Sequence, residues 1–197
     1  MNHRHFLIYK PYKMVSQFIT NDRHQRKKRF LGELYDFPDG VMAVGRLDET
    51  SEGLLIITTD GQLSNAINKS QHFSKEYYAQ VDGLITGQAI KLLSDGIEIT
   101  VNDKPYKPKK CRVEKLSNVP NLPETSQRIR DERHGPTSWL SIELNEGKFR
   151  QVRKMTSAAG FPTLRLSRVR IGNYKVNNMK SGDVIELDDT ALRAAIS

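Results

Sequence analysis

The chain has 197 residues, with 31 Lys and Arg against 23 Asp and Glu, a net charge of +8, a sequence pI near 9.6, 37% hydrophobic and 27% charged residues. This composition excludes a disordered or fibrous chain, no apolar run reaches the roughly 18 residues of a membrane span, and the single Cys111 excludes an internal disulfide or a multi-cysteine zinc cluster. The excess charge is localised: residues 147–182 hold nine Lys and Arg and no Asp or Glu, so a polyanion is the natural partner class.

In chain order, residues 5–9 read as a strand, too short and too soon stopped by Lys10-Pro11 for a signal peptide, so a cytoplasmic location is expected. Residues 21–29, which include His24, Lys27, Lys28 and Arg29, form a basic loop able to touch nucleic acid. A short extended segment at 41–44 leads into Gly45-Arg46-Leu47-Asp48. The apolar run 53–59 ends at an Asp60-Gly61 turn, and 62–68 has the spacing of a helix packed on Leu63, Ala66 and Ile67. A strand is predicted at 75–81, then a helix capped by Thr86 and closed by Asp95-Gly96, then extended chain at 97–101.

Residues 110–116 read as a strand in which Cys111 is a buried, inert thiol. Residues 118–136, with Arg128, Arg130 and Arg133, lack any period and look like a long functional loop. A strand at 137–145 faces Trp139 away from Leu140, Ile142 and Leu144. The following helix, 148–159, carries Phe149, Val152, Met155 and Ala159 on one stripe and Arg150, Arg153, Lys154 and Ser157 on another. Strands at 163–171, bearing Arg165, Arg168 and Arg170, and at 184–187 complete an α+β fold on a mostly antiparallel, mixed sheet with flanking helices. The histidines His3, His5, His24, His72 and His134 offer no metal-ligand spacing and read as surface residues. There is no phosphate-cradling glycine loop or dinucleotide fingerprint, so no metal and no cofactor are expected.

Taken alone, Gly45-Arg46-Leu47-Asp48 reads as a turn capped by its acid. It is followed, however, by Ser51-Glu52-Gly53-Leu54-Leu55-Ile56-Ile57-Thr58-Thr59-Asp60-Gly61, and a second long segment lies at Glu146-Gly147-Lys148-Phe149-Arg150-Gln151-Val152-Arg153-Lys154-Met155. With Lys75-Glu76-Tyr77 between them, the order and content resemble the RsuA-type pseudouridine synthases. The likeness extends from Phe6 to Ile171-Gly172, and Pro136-Thr137-Ser138-Trp139-Leu140 and Gly160-Phe161-Pro162-Thr163-Leu164-Arg165-Leu166 are most similar to the large-ribosomal-subunit branch. The resemblance implies one pseudouridine synthase catalytic domain over 1–197, with two sub-lobes about a central RNA-binding cleft as a variant of that reading. No small N-terminal domain of the S4 type is expected. One departure is Lys10-Pro11-Tyr12-Lys13, where the family often has glycine at the fourth position, which puts a backbone turn in question.

The resemblance also implies an activity, the isomerisation of uridine to pseudouridine. The N-glycosidic bond breaks, the base turns, and the ribose is rejoined through carbon, with no redox change. Asp48 is implied as the catalytic carboxylate, either as nucleophile at the anomeric carbon or as base at its neighbour. Arg153 is implied as the cation that keeps Asp48 charged, and Tyr77 as the ring that stacks on the flipped uracil. Arg46 fills the vacated space or holds the adjacent phosphate. Arg150, Arg165 and Arg168 follow the RNA backbone. The expected partner is 23S ribosomal RNA or a large-subunit assembly intermediate, met in the cytoplasm by a monomer with no membrane involved. Small-subunit rRNA or tRNA is the alternative target, and a non-catalytic RNA-binding assembly protein the alternative class. An acid in a phosphate-facing site argues against the latter, since it repels the ligand.

Overall fold

A computed structural model describes residues 3–20, 27–70, 73–130 and 132–195. Among the described residues the fold is α+β with mostly antiparallel strands and four α-helices, and the chain forms two compact units. Unit 1 comprises residues 1–73, 123–126 and 169–197, and unit 2 comprises 74–122 and 127–168.

In unit 1, β1 (His5–Lys10) lies between β5 (Glu52–Thr58) and β13 (Val184–Leu187), antiparallel to both, with Ile8 opposite Leu55 and Val184. Strand β4 (Met42–Val44) also pairs antiparallel with β5, and the short β2 (Met14–Val15) and β3 (Arg29–Phe30) pair parallel. Every residue of β1 and β5 is buried. Their side chains divide by parity: Leu7, Tyr9, Leu54 and Ile56 enter one apolar cluster, while Phe6, Ile8, Leu55 and Ile57 enter another. A strand covered on both faces reads as an unbroken apolar run, which is why 53–59 shows no alternation.

Helix α1 (Gly61–Lys69) adds Leu63 and Ile67 to the first cluster, and α4 (Asp189–Ala194) adds Leu192. The predicted Asp60 turn proves to be the N-cap of α1, its carboxylate accepting from the Gln62 and Leu63 amides at 2.9 and 3.0 Å. Those bonds, with the Leu63 amide the largest influence, hold the Asp60 pKa down to about 2. His5 departs from its predicted surface position. It is fully buried, with Nδ1 2.8 Å from Thr58 Oγ1 and Nε2 2.7 Å from Asp189 Oδ1. The cause lies far along the chain, because α4 supplies the carboxylate that satisfies the ring.

In unit 2, β6 (Lys75–Asp82), β10 (Thr137–Leu144) and β9 (Arg112–Leu116) lie in that order, antiparallel, with Tyr77 opposite Ile142 and Ile142 opposite Val113. Ala79, Val81, Leu140, Ile142 and Leu144 pack against Ala89 and Leu93 of α2 (Gly87–Asp95) and Val152 and Met155 of α3 (Gln151–Ala158). Helix α2 has the predicted ends, Thr86 Oγ1 accepting from the Ala89 amide and Gly96 closing at φ +84°. A Cβ on Gly96 would stand 2.1 Å from the Pro108 carbonyl oxygen, so only glycine fits. Strands β7 (Ile99–Val101) and β8 (Lys104–Tyr106) form a hairpin whose Asn102 and Asp103 both have positive φ. Trp139, predicted to face away from the core residues of its strand, is nevertheless buried. Cys111, expected to be buried within a strand, instead lies just before β9 and is half-buried, and burial raises its thiol to about 11. Strand β11 (Thr163–Ile171) has its first six residues in unit 2 and its last three in unit 1, where it pairs with β12 (Tyr174–Lys175).

Candidate active site

The sequence motif residues fall in both units, and each unit has its own way of holding them. In unit 1, β4 ends at Val44 and the chain turns through Gly45 at φ +71°, where an added Cβ would meet Asn68 Oδ1 at 3.3 Å. Arg46 is exposed, Leu47 is buried and Asp48 is half-buried. The buried Leu47 peptide is satisfied by one side chain from a distant loop. Its amide donates to Ser16 Oγ at 3.0 Å, and the Ser16 hydroxyl donates to the Leu47 carbonyl at 2.8 Å. The Asp48 carbonyl accepts from the Ser51 amide at 3.0 Å, closing a turn through the main chain. Next along, Glu49 accepts an ion-paired hydrogen bond from Lys28 at 2.8 Å. Lys28 of the predicted RNA-contacting loop is thus tied to the segment bearing Asp48, and Arg29 to Glu33. Positions 21–26 of that loop, with His24, lie outside the described residues, as does His72.

The turn at Lys10-Pro11-Tyr12-Lys13 survives without its glycine. Lys13 itself adopts φ +58°. The fully buried Lys10 holds the turn, its Nζ donating to the Pro11 and Met14 carbonyls at 2.9 and 2.6 Å.

In unit 2, the alternation of β6 puts Lys75 and Tyr77 on one face with Ala79 and Val81. Tyr77 is half-buried, packed against the apolar cluster of this unit, while Tyr78 points to the opposite face and its hydroxyl pKa is raised by burial. Burial, reinforced by the charge of Arg168, lowers the pKa of Lys75. Arg168 is only 4% exposed, so the prediction of an open strand cation reaching for RNA backbone is corrected: it is a buried charge beside Lys75. Arg165 is half-buried.

The Glu146 to Gln151 segment is a side-chain lattice. The Glu146 carboxylate accepts from the Tyr106 hydroxyl at 2.5 Å, the Gln151 amide at 2.6 Å and the Lys109 main-chain amide at 3.1 Å, while Gln151 Oε1 accepts from the Lys148 amide at 2.9 Å. Its bond to Glu146, more than burial, pushes the Tyr106 hydroxyl up to about 12. Burial opposes ionisation of Glu146, yet the Tyr106 and Gln151 bonds outweigh it and lower its pKa. The two outermost polar residues of this motif, Glu146 and Gln151, therefore build the loop, and the arginines between and after them are what it presents. Helix α3 starts later than predicted, at Gln151, because its N-cap Arg150 is left-handed at φ +54°. Phe149 consequently leaves the buried stripe assigned to it and stands 66% exposed. Arg153 is half-buried, with Nη1 donating to the Thr163 carbonyl at 3.2 Å. In the long loop, Arg130 pairs with Asp82 and donates to the His134 carbonyl at 2.6 Å, so this arginine secures the loop.

Ser16, Tyr106 and Glu49 carry no signal in the sequence comparable to the motifs. Each acts on a motif residue or its neighbour by way of a contact that only the folded chain creates.

The RNA pseudouridylate synthase family model matches residues 4–158. The ribosomal large subunit pseudouridine synthase E of Xanthomonas axonopodis pv. citri is 41% identical over 87% of this chain and 87% of its own length. That of Xanthomonas campestris pv. campestris is 38% identical over 96% of this chain and 98% of its own length. Among solved structures, a pseudouridylate synthase has the same fold, with a TM-score of 0.75 at 21% identity, covering 98% of this chain and 74% of that one. Human RNA pseudouridylate synthase domain containing 1 overlays with a TM-score of 0.56 at 16% identity, over 99% of this chain and 85% of that one.

Proposed function

The chain belongs to the RNA pseudouridylate synthase family and is a pseudouridine synthase, and from that premise we propose that it modifies a uridine of large-subunit (23S) ribosomal RNA, working as a monomer in the cytoplasm. The observation that carries the choice of RNA is the name shared by relatives 35–41% identical over most of this chain, each a ribosomal large subunit enzyme.

Asp48 is the catalytic carboxylate in this reading. The reaction breaks the bond between ribose C1′ and uracil N1, turns the base, and joins C1′ to C5. The C5 proton is released and N1 gains one, so atoms and charge balance without a cofactor. The Ser16 clamp on Leu47 supports this role, since it fixes the main chain immediately before the carboxylate without using any charged group. Tyr77 stacks on the flipped uracil, replacing part of the stacking lost when the base leaves its helix. Arg153 supplies the positive charge that an ionised carboxylate needs once RNA excludes water. Arg46 and Arg150 engage phosphates, and Arg165 adds to the same field. Arg168, being buried, acts on the field around Lys75.

The test uses ribosomal RNA labelled with tritium at uracil C5, which is set free only when C5 bonds to the ribose. Asp48→Asn is expected to cut tritium release by at least about 10²–10⁴-fold with RNA affinity retained. Release at the native rate would remove Asp48 from the chemistry.

A further inference from the structure

The exposed Phe149 has no place in the reaction as described, and its position is not accidental to the backbone. The left-handed Arg150 delays the start of helix α3 to Gln151, two residues after Phe149, so the ring that the helical period would bury is turned out to solvent at 66% exposure. Left-handed backbone is disfavoured at an L-residue such as Arg150, and glycine would avoid the strain. Arg150 and Lys154 help line an open groove of about 480 Å³, with Glu98, Thr100, Arg153 and Ser157 among others. Lys154, part of that lining, sets Nζ 5.4 Å from the centre of the Phe149 ring and is tethered there by donating to the Thr100 carbonyl at 2.7 Å. The arrangement recurs one step away: Lys148 Nζ stands 5.0 Å from the ring of Tyr106. Of the two rings, each with an ammonium group against it, Phe149 lies on the segment that has no acid from 147 to 182, and Lys148, set against Tyr106, belongs to the same segment.

We propose that Phe149 is a stacking platform for an unpaired RNA base outside the target nucleotide, with Arg150 and Lys154 engaging the phosphates on either side of that base. The proposal rests on the RNA-modifying reading above. A base needs only an accessible π-face and a neighbouring cation for its phosphate, and this site presents both. It therefore adds grip on single-stranded RNA with little choice of base. The single acid in the groove, Glu98, keeps a phosphate on the Arg150 and Lys154 side.

The experiment compares native protein with Phe149→Ala, Phe149→Leu and Phe149→Trp, using tritium release from labelled ribosomal RNA together with binding of a single-stranded oligouridylate. Phe149→Ala and Phe149→Leu are expected to raise KM and weaken oligouridylate binding roughly tenfold, with kcat within about twofold and thermal midpoint unchanged. Phe149→Trp should restore both, and its added fluorescence should be quenched by oligouridylate. Native KM in Phe149→Leu, or a lowered melting midpoint in Phe149→Ala, would overturn the platform and return Phe149 to packing. Native protein that releases no tritium would instead overturn the reading of the reaction, while the quench, needing no turnover, still reports on Phe149.

Discussion

The loop ending in Asp48 is pinned through its main chain, by a neutral serine hydroxyl that takes both polar groups of the Leu47 peptide. The loop ending in Arg150 hangs instead on one carboxylate, Glu146, gathering a phenol, an amide side chain and a main-chain amide. The first presents a carboxylate, and the side chain that holds its main chain carries no charge. The second displays arginine and lysine, and an acid at its root offsets that charge. The means of support follows the sign of what is presented.

Removing the charged root has the largest expected effect. Glu146→Ala leaves three donors without their acceptor and should cost about 2–3 kcal/mol in denaturant unfolding, with faster hydrogen exchange at the Lys109 amide. In Glu146→Gln the Tyr106 hydroxyl should fall from about 12 toward its ordinary 10, read by its ultraviolet titration. The charged lock also has a pH window. Because folding lowers the Glu146 pKa, its contribution is complete above the ordinary value of 4.5 and is lost as pH falls through the lower folded value. Because folding raises the Tyr106 pKa, that contribution is complete below pH 10 and is lost as pH rises through about 12. A Tyr106 titration unmoved by Glu146→Gln would break the contrast between the loops.

Next in size, Ser16→Ala should destabilise by about 1–3 kcal/mol, since it strands a buried amide and carbonyl, and should lower kcat more than it raises KM. Its cost should not vary between pH 5 and 9, because no ionising group is removed. The smallest effect has the opposite sign. The turn at Lys13 combines the two designs, a main chain held by the charged Lys10, and Lys13→Gly relieves its positive φ at the cost of a freer unfolded chain. It should raise stability by up to about 1 kcal/mol in a thermal melt. A destabilised Lys13→Gly would mean that the lysine side chain has a structural role beyond the turn.

The strands and helices were legible wherever one local pattern decided them. The run ending at Thr58, the cap at Thr86 and the glycine closing α2 each fall where a few neighbouring residues dictate the backbone. Reading failed where a distant partner or a single dihedral decided. Phe149 was placed in the core because the helical period continues through it, and only the left-handed Arg150 breaks that period. His5 looked exposed because the carboxylate that satisfies it comes from Asp189. Helix α4 was missed for the same reason: six residues are too few to show a period, and its one buried residue, Leu192, finds its place in the cluster built on β1 and β5. Ser16 is one of many serines until the fold brings Leu47 to it.

The pairing of β1 with β13 has a consequence for how this molecule is made. Strand β1 is synthesised well before residues 184–189, which supply one of its edges and the carboxylate partner of His5. Unit 2, apart from residues 123–126, is drawn from a single stretch between them. On a translating ribosome unit 2 can therefore close while the β1 edge still waits for its partner, so the unit that carries Asp48 is completed only after the unit enclosed within its own sequence.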